Sequence, residues 1–229
     1  MAKNVRKKSA TEEPVAASKT RIILAAEALF ASGGIEATSL REIAVKAGQG
    51  NHFAVQYHFG SRDGLVRAVF DYRMQQMEPT RGRMLAEAEA RGSLKDARTL
   101  LEIVYLPQLE IRDEQGKHSY ANFLFQYLQR FRSASFGDFG SELPPNLART
   151  LDLLRHRIDY LPTPVAQRRL VTASLMFLNI LATHDPSSHN VAGESLEAAV
   201  DDTLEQIVMA ICLPLRPRQS PRPIVEERT

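Results

Sequence analysis

Side chains able to do covalent chemistry are present in this chain, but not in the spacing such chemistry needs. Four of the six histidines, His118, His156, His184 and His189, are scattered without a metal-ligand spacing. The single Cys212 has no second cysteine with which to form a disulfide. Gly-rich phosphate loops, HExxH, CxxC and the GxSxG elbow are all missing, so no catalysis, cofactor or metal is expected. His184-Asp185 reads more simply as a cation at a helix C-terminus than as a catalytic pair. What remains is hydrogen-bonding chemistry. Asn51, His52, Phe53 and Gln56 stand close together in sequence. A glutamine amide can bond bidentately to adenine, and a phenylalanine can pack on a thymine methyl.

The stretch that positions them is Thr38–Leu65, TSLREIAVKAGQGNHFAVQYHFGSRDGL. Ser39 can cap a helix whose apolar residues Leu40, Ile43, Ala44 and Ala47 recur at i, i+3, i+4 and i+7. Gly48 stands where that helix must stop and the chain must turn. Asn51 is an N-cap for a second short helix, His52 to Tyr57. Ser61 caps the next one, with Asp63 in its first turn where the macrodipole favours an anion. Two helices at a tight glycine turn form the helix-turn-helix plan, whose second helix enters the DNA major groove.

With LFASGGIEATS just before it, this stretch resembles the DNA-binding end of the tetracycline-repressor (TetR) family. The resemblance covers roughly Thr20 to Phe70. It is carried by Leu29-Phe30, Gly34, Thr38-Ser39, Ile43-Ala44, Ala47-Gly48, Tyr57-His58-Phe59, Arg62 and Leu65. It implies that Tyr57, His58 and Arg62 reach the phosphate backbone, that Thr38 and Ser39 combine capping with a phosphate contact, and that Arg41 reaches backbone or a guanine. The base readers are then Asn51, His52, Phe53 and Gln56, with Ala54 and Val55 packing inward. The sequence departs from the family pattern in three ways. The turn after Gly48 is one residue longer, Gln49-Gly50 replaces an apolar anchor, and Gln56 replaces a frequent Tyr.

Composition is that of a globular chain: 229 residues, 44% hydrophobic and 24% charged. Through Arg62 there are nine Lys/Arg against five Asp/Glu; from Ser93 to Leu213 there are eleven against fifteen. A basic front on an acidic body suggests one nucleic-acid-facing end. The longest apolar run, Ala173–Ala182, is broken by Asn179 and too short to cross a bilayer, so no membrane partner is expected. The basic N-terminus lacks the apolar segment of a signal peptide, and a cytoplasmic protein is expected.

An all-α fold follows in four parts. Residues 1–17 read as a disordered basic arm, 18–62 as the DNA-binding domain, 63–213 as a helical body, and 214–229 as a disordered Pro/Arg-rich tail. The first helix is placed at Lys19–Ser32. The fourth begins near Arg62, and Pro79 should end or kink it; in the family this helix joins head to body, so a kink there would bear on signalling. Later helices are placed at Leu94–Arg112 (kinked at Pro107), Ser119–Arg132, Asn146–Tyr160, Val165–His184 and Glu194–Leu213. Thr163 is read as the cap before Val165, and SASFGDFGSELPP as a loop.

The resemblance further implies a homodimer paired through the last two helices, and a body cavity that admits a small effector. Tyr105, Tyr120, Phe123, Tyr127, Phe131 and Phe177 are the candidates to line it, which would make the effector lipophilic. The expected function is that of a DNA-binding regulator, a repressor on a near-palindromic operator, released by that effector. A ligand-insensitive helical DNA-binding or interaction scaffold is the alternative.

Overall fold

The computed structural model describes residues 9–51, 53–130, 142–184 and 194–215, and among these every regular element is helical. The all-α expectation holds. Residues 131–141, which take in most of the stretch SASFGDFGSELPP read as a loop, the tail beyond Leu215 and the first eight residues of the arm lie outside the described residues.

Helix α1 runs Ser9–Gly33, ten residues earlier than the sequence reading placed it. No glycine falls between Ser9 and Ser32 and Ala16 and Ala17 are strong helix formers, so the helix runs on past Pro14, whose missing N–H falls near its start. Ile22, Ala26 and Phe30 form its buried stripe, and Gly34 leaves it with φ +86°.

Helix α2 (Leu40–Lys46) starts in a capping box. Ser39 Oγ accepts from the Glu42 N–H at 3.1 Å, and the Ser39 N–H donates to Glu42 Oε2 at 2.7 Å. It ends in a Schellman motif: the Gly48 N–H reaches the Val45 carbonyl and the Gln49 N–H the Ala44 carbonyl, with Gly48 at φ +65°.

Helix α3 is Ala54–Phe59, two residues later at each end than expected. Asn51 acts one step earlier than as a cap, because its Oδ1 accepts from the Phe53 N–H at 2.9 Å and closes an Asx turn.

Helix α4 (Arg62–Ala90) passes straight through Pro79, which therefore does not end it. Packing of Met74, Met77, Leu85 and Ala88 on either side of the proline outweighs the single missing N–H. The expected helix Leu94–Arg112 is in fact two elements: α5 (Ala97–Tyr105) and a 3-10 turn η1 (Leu106–Glu110) that begins at Pro107's neighbour. Then come α6 (Ser119–Arg130), α7 (Pro145–Arg157), α8 (Thr163–Thr183) and α9 (Leu196–Cys212). Pro162, not Thr163, is the residue before the first turn of α8.

One apolar core runs from Ile22 of α1 to Ile211 of α9 without a break at Arg62. Helix α1 packs on α6 as well as on α2 and α4, so the DNA-facing end shares its interior with the body. A buried ion pair crosses the same junction. Arg73 of α4 grips Glu27 of α1 bidentately at 2.6 and 2.9 Å, and Ser119 of α6 donates to the same carboxylate at 2.5 Å. With its oxygens and the guanidinium paired, the charge can sit in the core.

Helices α8 and α9 pack on one another. The last carbonyls of α9 are capped by side chains, Tyr160 on Cys212 and Arg169 on Ile211 and Leu213.

Candidate nucleic-acid interface and body cavity

Every third or fourth position of α3 faces solvent. Phe53 is 69% and Tyr57 84% exposed, and Gln56 lies exposed between them. Val55 on the opposite face is fully buried and Ala54 packs against the core, as their residue types imply. Phe53 therefore does not fill the head's core.

Arg41 and Val45 of α2 are exposed as well. Val45, Phe53 and Tyr57 are large apolar side chains left in water, within thirteen residues of one another in a head whose core is closed. His58 is half-buried, its ring edge-on to Tyr57 at 5.1 Å and to Phe59 at 6.1 Å. His52 lies outside the described residues.

The remaining head residues are tied to structure. Ser39 caps α2 yet stays exposed. Thr38 is buried, and its hydroxyl donates inward to the Gly34 carbonyl at 2.9 Å. Arg62 is half-buried; it pairs with Glu36 at 3.1 Å and donates to the Thr38 carbonyl at 3.0 Å, bracing the start of α4 against the loop before α2.

Two residues that hold α3 in place escaped the sequence reading. Gln49 accepts from the Ser18 hydroxyl at 3.0 Å, so the longer turn is anchored to α1 by a hydrogen bond where an apolar contact was expected. Gly64 sits so close under the end of α3 that a Cβ there would stand 2.1 Å from the Phe59 carbonyl oxygen. The signal for it was available: a glycine in the first turn of a helix is out of place unless backbone passes close by.

Residues 22–69 match the family model for bacterial regulatory proteins of the tetR family. Through this head the chain is similar to the tetR family. It is 46% identical over 67 residues to an HTH-type transcriptional regulator of Mycobacterium bovis and to an HTH-type transcriptional repressor of Mycobacterium tuberculosis. That match takes in 29% of this chain and spans only about a third, 34%, of those relatives' length.

Two solved structures resemble the chain at TM-score 0.44. One is described as the molecular basis for control of antibiotic production by bacterial hormones (20% identity, 84% of this chain, 96% of that one). The other is AibR in complex with isovaleryl coenzyme A and operator DNA (14% identity, 82% and 97%).

In the body, the aromatic candidates pack chiefly on one another. Phe123 meets Phe30, Phe70 and Tyr120 with centroids at 5.0 to 6.1 Å, and Tyr127 meets Phe70 at 4.7 Å. Tyr105 stacks on Phe177 at 4.8 Å and shares a hydrogen bond with Ser174 at 3.0 Å. Burial drives the Tyr105 and Tyr120 phenols well above their ordinary value, so both stay protonated. Phe131 lies outside the described residues.

A half-open cavity of about 640 Å³ lies elsewhere, between α4 and the segment leading into α7. Its walls are Arg67, Asp71, Met74 and Gln75 on one side and Glu142–Pro145 on the other, and none of the aromatic candidates is among them.

The body interior also holds buried polar atoms without a hydrogen-bond partner among the described residues: Glu78 Oε2, Arg81 Nε, Gln108 Oε1 and His118 Nε2. Burial, with Arg112 nearby, lowers the His118 pKa. Its Nδ1 faces the Ile111 carbonyl at 3.1 Å, so the proton belongs on Nδ1 and Nε2 is a bare lone pair. Among the described residues no group of three or more His, Cys, Asp or Glu could hold a metal, and no helix is long and apolar enough to cross a membrane.

Proposed function

We propose that the chain is a sequence-specific transcriptional regulator that binds operator DNA through α3 and acts as a repressor. The observation that carries this is the α3 face. Phe53, Gln56 and Tyr57 are held out in solvent by a closed, capped head, and an exposed apolar ring costs solvation unless a partner covers it. Gln56 and Phe53 are placed to read base edges. Tyr57, His58, Ser39 and Arg41 surround them and would meet phosphates. Arg62 and Thr38 position the helix more than they touch DNA, since both are committed to the α1–α2 loop.

The active form is a homodimer through α8 and α9, and the operator a near-palindrome with half-sites about 34–36 Å apart or a multiple of that. Its supporting observations are the exposed Met209 and Leu213 at the end of α9, and Val171, Met176 and Ile180 of α8, which are only partly buried. A small lipophilic effector entering the α4–α7 cavity would release the DNA by favouring the other spacing of the two heads.

Fluorescence anisotropy against DNA flanking the gene, at two salt concentrations, tests the head. The native chain should bind one fragment tightly and salt-sensitively. Gln56→Ala/Tyr57→Ala should lose that preference while melting as before. Weak binding, equal on all fragments and unchanged in the double variant, would leave only non-specific phosphate contact.

A further inference from the structure

Helix α4 carries two arginines, Arg73 and Arg81, that are almost wholly buried, at 4% and 3% exposure. The first is neutralised by Glu27 in a bidentate pair. The second forms no ion pair among the described residues. Its guanidinium rests on the Met74 carbonyl at 3.5 Å and on the Met77 sulfur at 3.6 Å, and its Nε has no partner. Both contacts are long and neutral, and neither answers a full positive charge.

An arginine does not escape by losing its proton. The neighbouring Glu78 favours that charge only through space, with no direct pair: its Oε1 is taken by the Asn146 N–H at 2.5 Å and its Oε2 makes no hydrogen bond. A fold that pairs one buried arginine so completely leaves the next one open two turns further on.

The open arginine touches a residue of the cavity wall. Met74, whose carbonyl the guanidinium contacts, lines the cavity, and Pro145 on the facing wall precedes the Asn146 that holds Glu78. Met74 and Met77, the two residues Arg81 contacts, have unbranched side chains that repack readily around a guest.

We infer that Arg81 is the anchor for the carboxylate of the effector, which is a monoanion with an apolar tail lying in the α4–α7 cavity. A monocarboxylate fits better than a phosphate. Asp71 and Glu142 flank the cavity, with Arg67 the one cation on its wall among the described residues, and Glu78 stands one turn from Arg81, a setting that repels a dianion. The carboxylate matches the planar fork of the guanidinium and completes in the bound state the pairing that Arg73 has in the free one.

This inference rests on the effector reading above, and its test separates the two. The full chain is titrated by calorimetry and thermal unfolding with straight-chain carboxylates from hexanoate to hexadecanoate, and with the alcohols of the same length. The native chain, Arg81→Met and Arg81→Lys are compared. Native protein should bind at least one carboxylate and be stabilised by it well beyond the matching alcohol. Arg81→Met should melt at or above the native temperature when unliganded. It should bind that carboxylate about ten- to a hundredfold more weakly and treat the alcohol as the native chain does. Arg81→Lys keeps the charge without the fork, and should bind the carboxylate about tenfold more weakly.

Carboxylate affinity unchanged in either variant, or native protein that treats acid and alcohol alike, overturns Arg81 as the anchor and leaves an apolar effector standing. An Arg81→Met chain that does not fold shows the guanidinium to be structural and also overturns it. No response to any probe removes both readings.

Discussion

In the head, Phe53, Gln56 and Tyr57 stand out in water above a closed core of Ile22, Ile43, Val55 and Leu65; in the body, Arg81, Gln108 and His118 turn inward and end on atoms without a partner. Both regions are made of the same kind of helix and share one apolar interior. The head leaves apolar groups where polar ones are expected, and the body does the reverse. On the proposed function each mismatch would mark the side on which that region meets something else: a large polar surface outside for the head, a small guest inside for the body.

The contrast breaks hardest at the junction. Glu27→Ala would leave Arg73 and the Ser119 hydroxyl buried with no anion between them, a loss of about 3–5 kcal/mol by urea unfolding. An equally large loss in Arg81→Met would mean that the two arginines do the same structural work, and the comparison would fail.

Gly64→Ala comes next. A Cβ 2.1 Å from the Phe59 oxygen must push α3 and α4 apart, costing about 2 kcal/mol or more. Because α3 is what moves, operator affinity should fall by more than stability alone explains. Unchanged anisotropy curves would show that the α3 face tolerates displacement.

The smallest effect is at the α2 cap, where Ser39→Ala should cost about 1 kcal/mol near neutral pH. Bonds from the Ser39 backbone and side chain hold the Glu42 carboxyl below its ordinary value of 4.5. A depressed carboxyl contributes stability above its unfolded value and loses it as pH falls through the folded one. The gap between native and Ser39→Ala chains should therefore narrow below about pH 4.5 and stay flat above it. A gap that ignores acid would place the cap's contribution wholly in the Ser39 hydroxyl.

Much of the head was legible because its signals are local. Ser39, Gly48 and Ser61 each act on backbone within a few residues, and the capping and turn roles assigned to them are those observed. The start of α3 was misplaced because Asn51 can cap a helix or close an Asx turn with the same atoms, and the longer turn selects the second. The body was legible as helices but not as a cavity. Tyr120, Phe123 and Tyr127 carry the same apolar label whether they line a space or fill one, and here they are largely spent on Phe30 and Phe70. Arg81 could have been found. Met74, Met77, Arg81, Leu85 and Ala88 step along α4 at intervals of three and four, so the stripe itself puts a charge in the core.

Pro79 gives that stripe a mechanical meaning. It has no N–H to offer the Gln75 carbonyl, so the long helix joining head to body has one missing rung, and Gln75 is a wall of the cavity. About fourteen residues separate that rung from Ser61, which at 1.5 Å per residue makes an arm of roughly 20 Å. A bend of about ten degrees there swings the arm's tip by about 3.5 Å, close to the spacing of one base-pair step along DNA. A guest in the cavity would press on the fulcrum, with the head at the end of the lever.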